Sequence, residues 1–224
     1  MLSDELAWSL RRRSLAAAGL DGPPVARYKA DARSAVWAVA LGNGSDAASE
    51  ADWWVIKQFT YSPLRQQLGL RLGLHPAQRE RRGSALLARA GIPAVSVAAG
   101  GYRPAGTGGV VVWLATPWAG RPLHAVLRDS TLAPDDHRAA IDAAAGLTRR
   151  LIETGLWFRD LKPSNVILDE TGRARLIDTG SVERARRRAR VERMTATMQR
   201  VLSRQHIDPR LIERYRQMVA PTGR

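Results

Sequence analysis

The sequence predicts an α+β fold of two lobes, in which an antiparallel sheet with one main helix precedes an abbreviated helical lobe. The first observation is the alternation along Trp53–Phe59, where every second side chain falls on one face, as in a strand. The second is the helical spacing of apolar residues between Pro134 and Gly155, where proline and two acids open the segment and glycine closes it.

Strand patterns dominate the first lobe, which we place at residues 1–116. Its helix is predicted from Pro76 to Ala90, because proline suits a first turn and Gly91 followed by Pro93 is a stop signal. The other predicted elements are two short strands within Val25–Leu41, a polar turn over Gly42–Glu50, the strand Trp53–Phe59, and strands Val95–Ala99 and Val110–Thr116 joined by a loop over Gly100–Gly109.

The second lobe, predicted over residues 117–224, begins with the helix described above. Trp157–Asn165 is too polar and too broken for a regular element. Val166–Asp169 and Ala174–Asp178 are expected to form short strands joined through Glu170-Thr171-Gly172, which is typical of a hairpin turn. From Val182 onward the pattern is helical and basic.

The composition limits the classes of function. There are no cysteines, so disulfides and thiolate metal sites are excluded, and a reducing, cytoplasmic compartment fits best. Arg11–Arg13 interrupt the apolar residues of Met1–Leu20, so we expect no signal peptide. No stretch approaches the roughly 20 apolar residues that span a bilayer.

The charge is strongly basic, with 35 Lys and Arg against 21 Asp and Glu, a net charge of +14. Twelve arginines and three acids fall within Arg184–Arg224. Such a block favours an anionic membrane surface or a nucleic acid as partner, although a solvated helix in an arginine-rich protein has the same composition.

The chemistry is concentrated in Arg159-Asp160-Leu161-Lys162-Pro163-Ser164-Asn165 and in Asp178-Thr179-Gly180, thirteen residues further on. Phosphoryl transfer needs a carboxylate to orient the attacking hydroxyl, oxygen ligands for a metal, and cations to offset developing charge. Asp160 supplies the catalytic carboxylate, Asn165 and Asp178 supply hard oxygen ligands for Mg²⁺, and Lys162 is placed to reach the transferred phosphate.

These residues resemble the protein-kinase-like fold, whose catalytic loop reads H-R-D-x-x-x-x-N and whose metal loop reads D-F-G. The resemblance implies an ATP site with a strand lysine and a helix glutamate that form an ion pair. Lys57, in Val55-Ile56-Lys57, and Glu80 take these positions. Glu80 shares a helix stripe with apolar residues, so its side chain should point inward.

The segment that contains Glu80 and ends in Gly91-Ile92-Pro93 narrows the resemblance to the bacterial lipopolysaccharide core kinases, which phosphorylate Kdo or heptose sugars. The resemblance covers residues 53–180. It implies ATP- and Mg²⁺-dependent transfer to a sugar or glycolipid hydroxyl at the inner face of the cytoplasmic membrane. An anionic glycolipid acceptor would suit the basic Arg184–Arg224 block, and so would RNA.

The sequence departs from the kinase pattern in several places. Phe158 replaces the histidine of H-R-D, and Thr179 replaces the phenylalanine of D-F-G. No G-x-G-x-x-G loop is present; Lys29–Ser34 lies where it would be, and Lys29, Arg33 or Ser34 could contact phosphate instead. Only 46 residues follow Asp178, so a platform for protein substrates is doubtful.

The segment Ala115–Ala119 is the expected hinge, in which backbone groups near Thr116 and Trp118 would hold adenine. Pro117 can offer only its carbonyl. Two alternatives stay open: a minimal atypical protein kinase or ATPase subunit of an RNA-modifying complex, and a pseudokinase that survives as a binding module. An RNA or protein-complex partner would fit the first of these.

Overall fold

The computed structural model describes residues 15–16, 20–21, 24–30, 34–40, 53–61, 64, 68, 72, 76–104, 110–185 and 188–220. These residues form a mixed α+β structure that divides into two compact units. The first unit contains the described residues up to Arg79 and those of Ser96–Trp118. The second contains Glu80–Val95 and the described residues from Ala119 onward, so Glu80, which we assigned to the first lobe, groups with the second unit.

The first unit is built on a five-stranded antiparallel sheet of order β1-β2-β3-β5-β4. Its strands are β1 (Pro24–Ala30), β2 (Ser34–Ala40), β3 (Trp53–Tyr61), β4 (Ala99–Pro104) and β5 (Val110–Pro117). Alternate side chains of the central strands pack into a small core, which includes Val39, Ile56 and Trp113, each at most 1% exposed. The strand predicted from the alternation along Trp53–Phe59 is therefore confirmed, and one of its faces contributes to this core.

Most of the strand predictions for this unit are confirmed, and one is wrong. The strand expected at Val95–Ala99 lies instead at Ala99–Pro104, within the segment expected to be a loop. Glycine has a low strand propensity, but Gly100 and Gly101 pair with Leu114 and Trp113 of β5, and this tertiary pairing decides the structure. The turn predicted over Gly42–Glu50, the side chain of Lys29, and Arg33 lie outside the described residues; Ser34 opens β2.

The helix α1 (Pro76–Arg89) ends where the sequence predicts. Gly91 has a φ of 66°, and the amide of Ile92 donates to the carbonyl of Leu87, which closes the last turn in the manner of a Schellman motif. Val95 then donates its amide to the carbonyl of Leu176, so the chain after α1 is fixed to the hairpin of the second unit.

The second unit is mainly helical, with short strands between its helices. Its helices are α2 (Leu123–Val126), α3 (Pro134–Glu153), α4 (Arg188–Arg204) and α5 (Pro209–Val219). Its strands are β6 (Arg121–Pro122), β7 (Leu156–Phe158), β8 (Val166–Leu168), β9 (Ala174–Leu176) and β10 (Val182–Arg184). β6, β8 and β9 form one antiparallel sheet, and β7 pairs with β10.

One core holds this unit together. α3 contributes an apolar stripe, as its sequence period predicts, and α4 contributes Met194, Met198 and Leu202, none of which is exposed. The buried hydroxyl of Tyr215 on α5 donates to the hydroxyl of Thr148 on α3 over 3.0 Å, and Thr148 donates to the carbonyl of Ala144, so both buried hydroxyls are hydrogen-bonded. None of the helices within the described ranges is long and apolar enough to span a bilayer.

Two local predictions for this unit need correction. Val182–Arg184, which we expected to be helical, pairs as a strand with Leu156–Phe158, inside the segment expected to lack regular structure. Three-residue strands leave no periodic signal, and this pair forms because both segments bury apolar side chains against the helices. The hairpin β8–β9 and the basic helix after residue 187 are confirmed.

The close approach of the backbone at Gly120 yields a stability prediction. Gly120 has a φ of 116°, and an added Cβ would lie 2.1 Å from the carbonyl oxygen of Leu168. Gly120→Ala should therefore destabilise the protein by about 1–3 kcal/mol. Gly146→Ala, in the middle of α3 where a Cβ meets nothing within 4 Å, should stabilise it by about 0.5–1 kcal/mol.

Urea unfolding followed by circular dichroism measures both variants. A Gly120→Ala protein as stable as the wild type would show that the turn between β5 and β6 can move away from β8, contrary to this structure.

Candidate active site

We call the segment between β7 and β8 the catalytic loop, after the roles predicted for its residues Asp160, Lys162 and Asn165. A single 3-10 turn over Pro163–Asn165 closes it, and the amide of Asn165 donates to the carbonyl of Lys162 over 2.9 Å. The buried side chain of Asn165 donates from Nδ2 to the carbonyl of Asp160, also over 2.9 Å. Asn165 thus ties the two ends of the loop together.

Asp160 lies at the tip of this loop, with 49% of its side chain exposed. Its amide donates to Ser181 Oγ over 3.3 Å, and the amide of Arg159 donates to the carbonyl of Ser181 over 3.5 Å. The guanidinium of Arg159 lies 3.5 Å from the Asp160 carboxylate. The backbone of Asp160 is therefore fixed on both sides, while its carboxylate faces solvent, where an acceptor hydroxyl could reach it.

Asp178 is brought next to Asn165 by the hairpin. Val166 pairs with Leu176, and the amide of Ile177 donates to the carbonyl of Asn165 over 3.0 Å. Asp178 then adopts a left-handed conformation, with φ 57° and ψ 40°, which turns the chain sharply into the 3-10 turn Thr179–Ser181. Asp and Asn tolerate this region better than other residues with a Cβ.

Backbone hydrogen bonds therefore connect the segments that carry Asp160, Asn165 and Asp178, as the sequence predicts. The orientation of the Asn165 amide matters here. Because Nδ2 is used by the carbonyl of Asp160, the oxygen Oδ1 is left as the ligand atom, and the hydroxyl of Ser164 is its nearest partner at 3.4 Å.

The donor set suits Mg²⁺ by its chemistry. An amide oxygen and a carboxylate are hard ligands, and Mg²⁺ usually takes one or two such groups from protein. Within the described residues, no group of three or more His, Asp or Glu side chains could hold a metal ion. The pair Asn165 and Asp178 is thus compatible with a Mg²⁺ shared with phosphates and unlike an all-protein metal cage.

Lys162 lies two residues beyond Asp160, and its side chain is exposed. Its backbone is extended, with φ −148°, and its carbonyl accepts from Asn165. No ion pair of its ammonium group is found in the described part of the chain, so the charge remains available for an anionic ligand.

Glu80 lies on α1 and is partly buried, so its side chain points inward, as its helix stripe predicts. One carboxylate oxygen, Oε2, lies 3.2 Å from the hydroxyl of Thr179. Glu80 is therefore held against the residue that follows Asp178.

The other predicted nucleotide-binding residues belong to the first unit. Lys57 lies at the middle of β3, where it pairs with Val36 and Leu114. Thr116 pairs with Val55, and the amide of Trp118 donates to the carbonyl of Trp53 over 2.8 Å. The expected hinge amide at Trp118 is thus already used within the sheet.

The ring of Trp118 belongs to a cluster of aromatic side chains in the first unit. It stacks on Tyr28 of β1, with ring centroids 6.1 Å apart and planes 14° from parallel, and meets the edge of Trp53 at 5.8 Å. Half of Tyr28 is exposed. An aromatic shelf of this kind favours stacking over hydrogen bonding as the role of Trp118.

Sequence reasoning missed two supports of the catalytic loop. Ser181 anchors Asp160, but a serine directly after a D-x-G pattern carries no signal of its own. His124 on α2, to which we assigned no role, lies at the backbone of Pro163, and its Nδ1 is buried with no partner among the described residues. Burial, with the charge of Arg128, lowers the pKa of His124, so a neutral ring packs at the turn that contains Asn165.

No protein-family model matches the chain, and no curated protein matches it significantly. The resemblance to kinases therefore depends on the residues and the local geometry described above.

Proposed function

We propose that this protein is an ATP- and Mg²⁺-dependent phosphotransferase that acts on a hydroxyl group, most simply of a lipopolysaccharide core sugar or a related glycolipid. The observation that carries the proposal is the hydrogen-bonded connection of the segments bearing Asp160, Asn165 and Asp178. A carboxylate that faces solvent, next to two hard oxygen ligands, is the arrangement that phosphoryl transfer needs.

In this proposal Asp160 orients the acceptor hydroxyl and takes its proton as the bond to phosphorus forms. Asn165 Oδ1 and the carboxylate of Asp178 would hold Mg²⁺, which supplies charge neutralisation of the phosphates when bound. The ammonium group of Lys162 would offset the charge that develops on the transferred phosphoryl group.

Four further residues are assigned to the nucleotide. Lys57 would bind the phosphates, with Glu80 as its supporting carboxylate, as the resemblance implies. The stretch from Thr116 to Trp118 would receive adenine, with the Trp118 ring as a stacking surface. These assignments follow the order of the residues along the chain. The contacts of the four residues with a nucleotide stay predictions.

The departure at Phe158 is compatible with catalysis. Phe158 is fully buried, and its amide donates to the sulfur of Met194 over 3.3 Å. Packing at the base of the catalytic loop thus takes the place of the hydrogen bonds that a histidine would make, and the loop above it keeps its connections to Asn165 and Ser181.

Nucleotide binding is expected to depend on Asp178. ATP with Mg²⁺, present at about one hundred times its Kd, should stabilise the wild type by about 2.7 kcal/mol, seen as a rise in Tm. Asp178→Ala should lose the Mg²⁺-dependent part of this rise, because a metal ligand is removed. The matched control is Asp169→Ala, which removes a carboxylate that only bonds Thr171, Arg173 and Arg175 in the same hairpin.

Asp160→Ala should keep the Mg²⁺·ATP stabilisation and lose at least about 10²-fold in turnover. Full turnover in this variant would overturn the role of Asp160. Binding of ATP by the wild type without any transfer would favour the pseudokinase alternative, and transfer only in the presence of other proteins would favour the subunit of a larger complex.

If the acceptor is a glycolipid, the protein needs a surface that contacts the membrane. Among the described arginines beyond residue 184, some are neutralised within the chain: Arg190 pairs with Glu183, Arg214 with Asp142, and Arg216 with Glu213.

Arg193, Arg200 and Arg204 are different. All three are exposed, they share one face of α4 by their spacing of seven and four residues, and no ion pair of theirs is found in the described part of the chain. We call these three residues the arginine stripe and propose it as a contact for an anionic membrane surface, which would place the protein at the cytoplasmic face of the membrane.

Other features of α4 and its neighbours indicate which polyanion, lipid or RNA, would bind the arginine stripe. Its apolar face is used by the core, so binding would depend on surface charge, at about 1 kcal/mol for each basic residue near an anionic leaflet. Tyr215 is the one Phe, Tyr or Trp residue of the range 188–220 and is buried, so no exposed large aromatic ring of this range accompanies the stripe. These observations favour lipid over single-stranded RNA.

Replacing the three stripe arginines by glutamine should reduce co-sedimentation with phosphatidylglycerol vesicles at least about tenfold, with the wild-type binding lost in high salt. The matched control replaces Arg138, Arg149 and Arg216 by glutamine. These replacements remove the same charge, but from arginines that are paired with neighbouring acids. Equal binding of the stripe variant and the wild type would contradict the proposal; weaker RNA binding with unchanged vesicle binding would assign the stripe to RNA.

A further inference from the structure

Thr179 stands directly after the proposed metal ligand Asp178, in the position where the kinase pattern has phenylalanine. Its side chain is not exposed at all. Its hydroxyl lies 2.9 Å from the carbonyl oxygen of Glu80, 3.2 Å from Glu80 Oε2, and 3.0 Å from the hydroxyl of Ser84. One threonine hydroxyl thus contacts two successive turns of α1.

A hydrogen bond with Ser84 and one with Glu80 can form together, whereas the two Glu80 oxygens compete for the single hydrogen of Thr179. A hydroxyl has one hydrogen to donate and two lone pairs that accept. Thr179 donates to an oxygen of Glu80, and Ser84 can donate to Thr179. Ser84 is only 9% exposed, so both hydroxyls would be without a partner if the contact opened, which carries a desolvation cost.

The main chains of α1 and of Thr179 also approach each other closely, at Gly83. An added Cβ on Gly83 would lie 1.9 Å from the carbonyl oxygen of Thr179 and 2.7 Å from its carbonyl carbon. The turn of α1 between Glu80 and Ser84 therefore lies directly on the main chain of Asp178–Gly180, with no room for a side chain between them. We call these three residues the metal loop, after the role proposed for Asp178.

Asp178 itself needs such support. A residue with a Cβ in the left-handed region persists where its surroundings fix it, and Asp178 has a φ of 57°. Both neighbours of Asp178 in the chain are held by hydrogen bonds: the amide of Ile177 donates to the carbonyl of Asn165, and the hydroxyl of Thr179 contacts Glu80 and Ser84 of α1. The contact of Thr179 with α1 therefore fixes the backbone on the far side of Asp178 from Asn165.

We propose that Thr179 is a positioning residue, whose hydroxyl joins the helix that carries Glu80 to the loop that carries Asp178, so that both carboxylates are held in one constitutive arrangement. The inference rests on the proposed function for its catalytic consequence. Where an apolar residue at this position could slide along the helix, three polar contacts and the Gly83 contact specify a single register.

The experiment compares Thr179→Val with Thr148→Val. Both replace a fully buried threonine of the second unit by an isosteric valine: Thr148 donates to the carbonyl of Ala144 and contacts the hydroxyl of Tyr215. Both variants should lose stability to a similar degree. Hydrogen exchange of backbone amides should rise about tenfold around residues 80–87 and 179–182 in Thr179→Val alone.

The catalytic readout is the Mg²⁺ dependence of turnover at saturating ATP. Thr179→Val should raise the Mg²⁺ concentration for half-maximal rate about tenfold and lower kcat, and Thr179→Ser, which keeps the hydroxyl, should restore both. Thr148→Val should leave both unchanged.

The two proposals fail separately. If wild type neither binds nor uses Mg²⁺·ATP, the proposed function fails, while the exchange comparison still tests the contact. If Thr179→Val exchanges like Thr148→Val in both segments, or if Thr179→Ser fails to restore the Mg²⁺ dependence, the positioning role is overturned.

Discussion

The hydrogen bond from the Asn165 side chain to the carbonyl of Asp160 is the interaction on which the candidate site depends. It closes the catalytic loop and leaves Asn165 Oδ1 as a ligand atom. The backbone of Asn165 accepts from Ile177 and so fixes the segment before Asp178. One buried residue therefore links the loop that carries Asp160 to the segment before Asp178, because its side-chain amide and its backbone carbonyl bond different partners.

The remainder of the second unit keeps this linkage in place. Phe158 and Met194 pack below the loop, β10 pairs with β7 at its start, and Ser181 bonds Asp160 from the far side of the metal loop. Gly83 and Thr179 join α1 to the same loop. The side chains of Asn165, Thr179 and Ser181 are buried and hydrogen-bonded, which fixes the segments that carry the candidate site.

Much of the site could be predicted because its signals are local. Asp160, Asn165 and Asp178 have fixed spacing around a hairpin, and the hairpin has its own turn residues, so the sequence places them together. Ala99–Pro104 and Val182–Arg184 were mispredicted, because their strands form through pairing with distant segments and not through periodicity. The anchors Ser181 and His124 could not be found for the same reason: their roles arise from tertiary contacts.

We propose that a phosphoryl group passes from ATP to an acceptor hydroxyl that Asp160 orients. The most direct measurement incubates the protein with Mg²⁺, a lipopolysaccharide-core acceptor and ATP labelled either at the γ- or at the α-phosphate. The account predicts label in the acceptor from γ-labelled ATP alone, and none without Mg²⁺. Release of labelled inorganic phosphate with no labelled acceptor, or equal labelling from both forms of ATP, would contradict it.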